Sequence, residues 1–596
     1  MRPIKNALQA VFSACLLCGS LSSEPLEPQA KGISFQERAA MELDHIAAIL
    51  VERYAPYQRK KELFAWDLAK ELQKAKAELS LQRDLSLKEK QRIVSRFLNT
   101  TGDYHVNVQF YSTEEARLPF KIIQAEGAYY ITSIDRSRLP QASYPIQEGD
   151  QILAFNERPI EEEIEAMRTA KGWAQNFPSA ESTEAMLASL VTHRRACLGE
   201  EVPQGLLSIR VKQSDQKERD FYLVWEYFEE QILSYDPPIE NRLRSKGDFF
   251  SDEMLVDLLA KVQRGPEVIP QLKKFFHQSL IHSSFSAINP EAASPWDMGA
   301  RKSFIPPLGP MIWQSPEHFP YFAYIYQNED KKLIGYLRIP HYQGSIGFAR
   351  LFQEIIAKFQ EVTDGLIIDQ VNNPGGHLFH LYTLLSMLTD QPLETPHHRI
   401  MLSTDDLFLA RLLLSLLDEM GTPEQAAGLI GLFTSPYPTN YQNVLLVKEY
   451  CRFVINQCEQ GKKLSDPYYL LGVDQIQPHP TTRYTKPILL VTNEKDYSAA
   501  DICPAILQDA KRAVLIGGRT AGAGGCVNYT SYPNSLGISH FTYTYTVALR
   551  KDNSFIENEG ISPTIPLALT PNDFKQKCRP YANRINQEMK RLLQNP

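Results

Sequence analysis

KPILLVTNEKDYSAADICPAILQDAKRAVLIGGRTAGAGG, residues 486–525, decides the fold class. It reads as an apolar run (487–491), a polar turn (492–497), a helix opening at Ser498, a second apolar run (513–516) and a glycine-rich loop. A strand, a helix and a second strand in that order belong to α/β folds with parallel strands. Ser498 stands where the first strand hands over to the helix, so its hydroxyl is expected at the carboxyl edge of a sheet beside free helix N–H groups. A serine there also suits an ordinary helix cap.

Working outward, 364–376 (DGLIIDQVNNPGG) reads as a buried strand running into a glycine turn, preceded by the amphipathic stretch GFARLFQEIIAKFQEV and followed by the helical HLFHLYTLLSMLTD. Gly375 and Gly376 free backbone N–H groups at the edge where Ser498 is expected, which would suit an oxyanion hole. A tight turn needing positive φ would use the same two glycines. Residues 395–485 form a mostly helical insertion of the kind that makes lids or partner surfaces. Beyond the opening stretch, ISHFTYTYTVALR alternates as a strand, and a turn through Glu557 and Gly560 leads to a polar helical tail.

Towards the N-terminus, residues 33–98 are charged and helix-prone. The period then changes: TTGDYHVNVQFYS places Tyr104, Val106, Val108 and Phe110 on one face and His105, Asn107 and Gln109 on the other. His105 thus stands at the mouth of a strand, on its polar face. IQEGDQILAFNERPI (146–160) resembles the turn and strand of a PDZ domain, a fold that binds extended peptides at a sheet edge. A helical stretch, 160–195, interrupts this unit before strands resume at 207–211 and 221–225. Residues 237–310 look like a linker with embedded helices.

The chain of 596 residues implies several domains. A net charge of -7 without a basic cluster argues against nucleic acid as a partner. Arg2 and Lys5, a short apolar stretch and small residues after Cys18 give the pattern of a secretory signal peptide over 1–23. The remaining six cysteines are scattered, and neither HExxH nor a zinc-type CxxC follows, so no metal or other cofactor is expected.

Three segments in order, DGLIIDQVNNPGG, PILLVTNEKDYSAADICPAILQDAKRAVLIGGRTAG and IENEGISP, resemble the tail-specific (C-terminal processing) serine protease family. The resemblance implies an α/β core of the ClpP/crotonase-like type with a helical N-terminal region, a PDZ-like β domain and a helical insertion. The implied divisions are a signal peptide (1–23), the helical region ending in the His105 strand (24–119), the PDZ-like domain (120–236), a linker (237–310), the protease core (311–394 and 486–596) and the insertion (395–485). Typical members pair the serine with a lysine in the loop after the second strand. That place falls at Ala523, and a methyl group accepts no proton. Lys495 lies on the approach turn and would need desolvation to act as a base.

Tricorn-like relatives use a Ser/His/carboxylate set instead, and the likeness maps it onto Ser498, His105 and Glu557, with the N–H of Ala499 and that of Gly375 or Gly376 receiving the oxyanion. It further implies a secreted endopeptidase made as a self-cleaving zymogen, with an inhibitory segment at about 241–284, a homodimer after processing and host-cell proteins as substrates. Two other readings fit the same motifs: an inactive peptide-binding scaffold, and an envelope processing peptidase that uses Lys495.

Overall fold

The computed structural model describes residues 33–81, 84–173, 180–231 and 294–594. The expected signal peptide and the segment at 241–284 lie outside them. The core is a seven-stranded sheet in the order Met311–Gln314, Phe322–Gln327, Leu333–Arg338, Gly365–Asp369, Ile488–Thr492, Val514–Gly517 and Ile565–Pro566. Its first two pairings are antiparallel and the rest parallel. The strands Gly365–Asp369 and Ile488–Thr492 are buried at every position, which is why they read as unbroken apolar runs rather than alternating ones. Each is followed by a helix, Leu378–Ser386 and Ala499–Asp509. Register pairs Asp369 with Val491 and Val491 with Ile516, so the turns that follow all leave from one edge.

The N-terminal region folds as helices Phe35–Arg53, Tyr57–Phe64, Leu68–Leu81 and Leu87–Asn99. Two of them open with capping boxes, Ser34 with Glu37 and Ser86 with Glu89. The strand that follows is Asn107–Phe110, and it pairs antiparallel with Ile538–Thr544 of the core. His105 therefore precedes the strand, and it is 1% exposed rather than on a solvated face. Pairing with the core occupies the edge of this segment, and the N-terminal helices enclose a face that its sequence suggested was wet.

The PDZ-like unit is a sheet in the order Phe120–Ala125, Ala128–Ile134, Gln151–Phe155, Leu206–Lys212 and Glu218–Val224. Helices Ile160–Lys171 and Ala180–Thr192 cross it. Its apolar core includes Tyr104, Tyr497, Ala521 and Ala523, so it is continuous with the segments around Ser498. Ser182 Oγ also donates to the Glu494 carbonyl at 2.6 Å. ISHFTYTYTVALR forms two strands instead of one, Ile538–Thr544 and Thr546–Leu549, because the second half pairs with His397–Ile400 of the helical insertion. The insertion is thereby stitched to the core. The tail folds as helices Pro571–Lys575 and Arg579–Gln594.

Candidate active site

Ser498 caps helix Ala499–Asp509 with φ 62 and ψ -119. A non-glycine residue held at such angles costs on the order of 1–3 kcal/mol, so its surroundings must enforce it. They do so through two carboxylates. Asp496 accepts the N–H of Asn373 at 3.1 Å, the N–H of Asn493 at 3.0 Å and Gln370 Nε2 at 3.0 Å, tying the turn before Ser498 to the turn after Asp369. Asp501 accepts the N–H groups of Ser498 (2.9 Å), Gly522 (2.8 Å) and Ala523 (3.0 Å) and the Thr520 hydroxyl (2.5 Å). Burial pushes the Asp501 carboxyl up to about 6, against the pull of those bonds. Ser498 Oγ is buried and has no hydrogen-bond partner among the described residues.

The glycine turn lies against it. Gly375 has φ +91, and a Cβ there would come within 2.7 Å of Ser498 Cβ and 3.0 Å of Ala499 N. Only glycine fits so close to the serine. The Gly375 N–H is already committed to Asn373 Oδ1 at 2.8 Å. The N–H groups of Ala499 and Gly376 make no hydrogen bond among the described residues, while Tyr342 N–H and carbonyl hold the turn on either side through Gly375 and His377. Two uncommitted donors, one at a helix N-terminus, thus accompany the serine.

His105 reaches the site through its neighbours. Its N–H donates to Asp103 Oδ1 at 2.8 Å and its carbonyl accepts Thr542 Oγ1 at 2.6 Å. Asp103 Oδ2 is taken by Tyr54 OH at 2.9 Å and Thr544 Oγ1 at 2.8 Å. The ring of Tyr104 meets that of Tyr497 edge to face at 5.4 Å. Both imidazole nitrogens lack partners among the described residues. Burial pushes the ring down to about 4, with Asp103 pulling it up and Lys60 pushing it further down.

Glu557 is the third candidate. It is buried, and the N–H of the next residue, Asn558, donates to the Gly522 carbonyl at 2.8 Å. That bond joins it to the loop that Asp501 holds. Glu557 Oε1 accepts Lys60 Nζ at 3.3 Å, and Oε2 has no partner among the described residues. Burial and Asp103 raise the carboxyl, and Lys60 draws it back down.

Ser498, Ala499, Gly375 and Gly376 therefore form one cluster, with Glu557 linked to it through Gly522 and His105 through the Tyr104–Tyr497 contact. No hydrogen bond joins His105 to Ser498 or Glu557. Ala523 is buried against the PDZ-like core. The charged neighbours of Lys495 are Glu494, Asp297 and Lys121, none of them in this cluster, and burial lowers its ammonium. Sequence reasoning missed Lys60, Asp103 and Asp501. The carboxylate of Asp501, three residues after the serine, was legible as a capping partner; Lys60 carried no local signal. The described residues hold no group of three or more His, Cys, Asp or Glu that could bind a metal, and none of their helices is long and apolar enough to cross a membrane.

The profile of peptidase family S41 matches residues 333–567, and a PDZ domain profile matches 114–232. A Chlamydia pneumoniae protein is 32% identical over 563 residues, 91% of this chain and 88% of its own. A Chlamydia muridarum protein is 32% identical over 589 residues, 94% of this chain and 93% of its own. Among solved structures, mature CPAF, the chlamydial protease-like activity factor, superposes with a TM-score of 0.78 at 30% identity, covering 94% of this chain and 98% of that one. Mature CPAF complexed with lactacystin gives 0.78 at 29%, covering 94% and 100%.

Proposed function

This chain belongs to peptidase family S41 and is a serine protease of the CPAF type, and from that premise we propose that it is an exported endopeptidase, made as a self-processing zymogen, that cleaves host-cell proteins with Ser498, His105 and Glu557. The observation that carries the reading is a combination. A serine in a strained turn, an imidazole and a carboxylate each keep a buried polar atom without a partner among the described residues, while Ala523 stands where a lysine base would be. Buried polar groups are ordinarily satisfied, and several exceptions around one serine call for a functional explanation. Asp103 is the less suitable acid because both of its oxygens already accept hydrogen bonds.

In the reaction, Ser498 Oγ forms a bond to the scissile carbonyl carbon as neutral His105 takes its proton. The carbonyl oxygen becomes an oxyanion received by the N–H groups of Ala499 and Gly376. As the C–N bond breaks, His105 returns the proton to the leaving amine, and water then releases the acyl group by the same sequence. Glu557 stabilises the transient imidazolium. Catalytic hydrogen bonds of this kind commonly tighten only once substrate is bound. Cleavage near both ends of 241–284 would activate the precursor, and pairing of two processed chains belongs to the same proposal.

A fluorophosphonate probe tests it. Processed wild-type protein is expected to label at Ser498, and Ser498→Ala and His105→Ala are expected not to. Equal labelling of His105→Ala would overturn the assignment of the base.

A further inference from the structure

Lys60 is fully buried, the one buried residue of the short polar helix Tyr57–Phe64. A lysine is almost never buried without partners, because removing an ammonium from water costs several kcal/mol. Here the three protons have three acceptors: the Gly102 carbonyl at 2.8 Å, Asn558 Oδ1 at 2.6 Å and Glu557 Oε1 at 3.3 Å. One acceptor lies just before His105 and the other two at Glu557 and its neighbour. Arg59 grips the same segment from outside, with its guanidinium 3.8 Å from the Phe555 ring centroid and 2.9 Å from Glu559. Anchoring the helix to that segment is thus already served by the partly buried Arg59, and it does not account for a second, fully buried cation.

We infer that Lys60 is a positioning residue of the reaction: it fixes Oε1 of Glu557 and leaves Oε2 as the acceptor for the imidazolium of His105. The inference rests on the proposed Ser498/His105/Glu557 set. The ionisable groups facing this point are Asp103 on the His105 segment, Tyr54 at the end of helix Phe35–Arg53, Asp501 on the serine's helix and Lys60 itself. Asp103 and Asp501 act to protonate Glu557, and Lys60 opposes both. Without Lys60, Glu557 would hold its proton to higher pH. His105 would also lose a repelling charge and protonate more readily. Both changes move the acid limb of activity in the same direction, upward.

The test is the pH profile of kcat/KM for processed wild type, Lys60→Met, Lys60→Arg, Glu557→Gln and the Lys60→Met/Glu557→Gln double variant. Lys60→Met is expected to lose about 100-fold in kcat with KM little changed, the size of effect a misplaced catalytic group produces. Its acid limb should move to higher pH, Lys60→Arg should recover most of the activity, and the double variant should be no slower than Glu557→Gln. If Lys60→Met does not fold, Lys60→Gln, which keeps donors for Gly102 and Asn558, takes its place. An acid limb that superimposes on wild type, or a loss in the double variant that adds to that of Glu557→Gln, would overturn the role of Lys60. Full activity in Glu557→Gln would instead overturn the proposed set from which the inference starts.

Discussion

Tyr104 and Tyr497 meet edge to face, ring centroids 5.4 Å apart and planes at 74°. Each is the residue immediately before a proposed catalytic one, so a packed aromatic pair sets how far His105 stands from Ser498. Both rings belong to the apolar core of the PDZ-like unit. The joint between the N-terminal strand and the serine turn is therefore built from the same layer that holds the peptide-binding-type domain in place. Tyr104→Leu keeps an apolar group but loses the ring contact, worth about 0.5–1.5 kcal/mol beyond burial. Activity is expected to fall about 10- to 100-fold, chiefly in kcat, with a modest drop in melting temperature. Unchanged kcat in a destabilised variant would show that the pair serves folding alone.

The buried imidazole makes stability depend on pH. His105 is held neutral, down to about 4 from 6.5, by burial. Between those values the unfolded chain binds a proton that the native one refuses, so the contribution is complete above 6.5 and is lost as pH falls through about 4. Its size is about 3 kcal/mol. Asp501, raised from 3.8 to about 6, has the opposite sign: its contribution is present below 3.8 and is lost as pH rises through about 6. Urea unfolding at pH 7 and pH 4.5 should show wild type losing more stability on acidification than His105→Gln. Parallel losses would mean that His105 is not desolvated.

Lys495 provides a control on the base. Its ammonium faces Glu494, Asp297 and Lys121, and the place of the family lysine is filled by Ala523. Lys495→Ala is expected to retain fluorophosphonate labelling and peptidase activity within a few-fold of wild type. Abolished activity in a folded variant would restore the lysine-base reading and remove His105 from the mechanism.

Much of this arrangement could be read from the chain because the relevant segments are local. The strands at 365–369 and 488–492 are buried on both faces and announce themselves as apolar runs; the serine and the two glycines follow them directly. What could not be read depends on distant pairing. Lys60 looks like a solvated residue of YQRKKELF, and only the docking of that helix over Gly102 and Glu557 shows it to be enclosed. His105 was expected on a wet face because alternation reports one sheet surface, not the helices that cover it. The break at Tyr545 arises because the segment after it pairs with the distant strand His397–Ile400, a partner no local pattern contains.

Self-processing can be separated from the final activity. If the precursor cuts itself, the reaction needs the same serine, and the strained turn around Ser498 must already be formed before cleavage, as it is in the intact chain described here. Ser498→Ala is nearly isosteric and keeps the N–H that Asp501 accepts, so it should fold and remain one chain. Wild-type precursor, purified and incubated without added protease, should give two fragments with new ends near 241 and 284. Adding a trace of processed wild type to Ser498→Ala separates the routes: cleavage at the same two places would mean that one molecule cuts another, whereas resistance would mean that each chain cuts itself. Fragmentation of Ser498→Ala alone would assign the cut to another protease and sink self-processing, while leaving the assignment of the mature site to the labelling experiment.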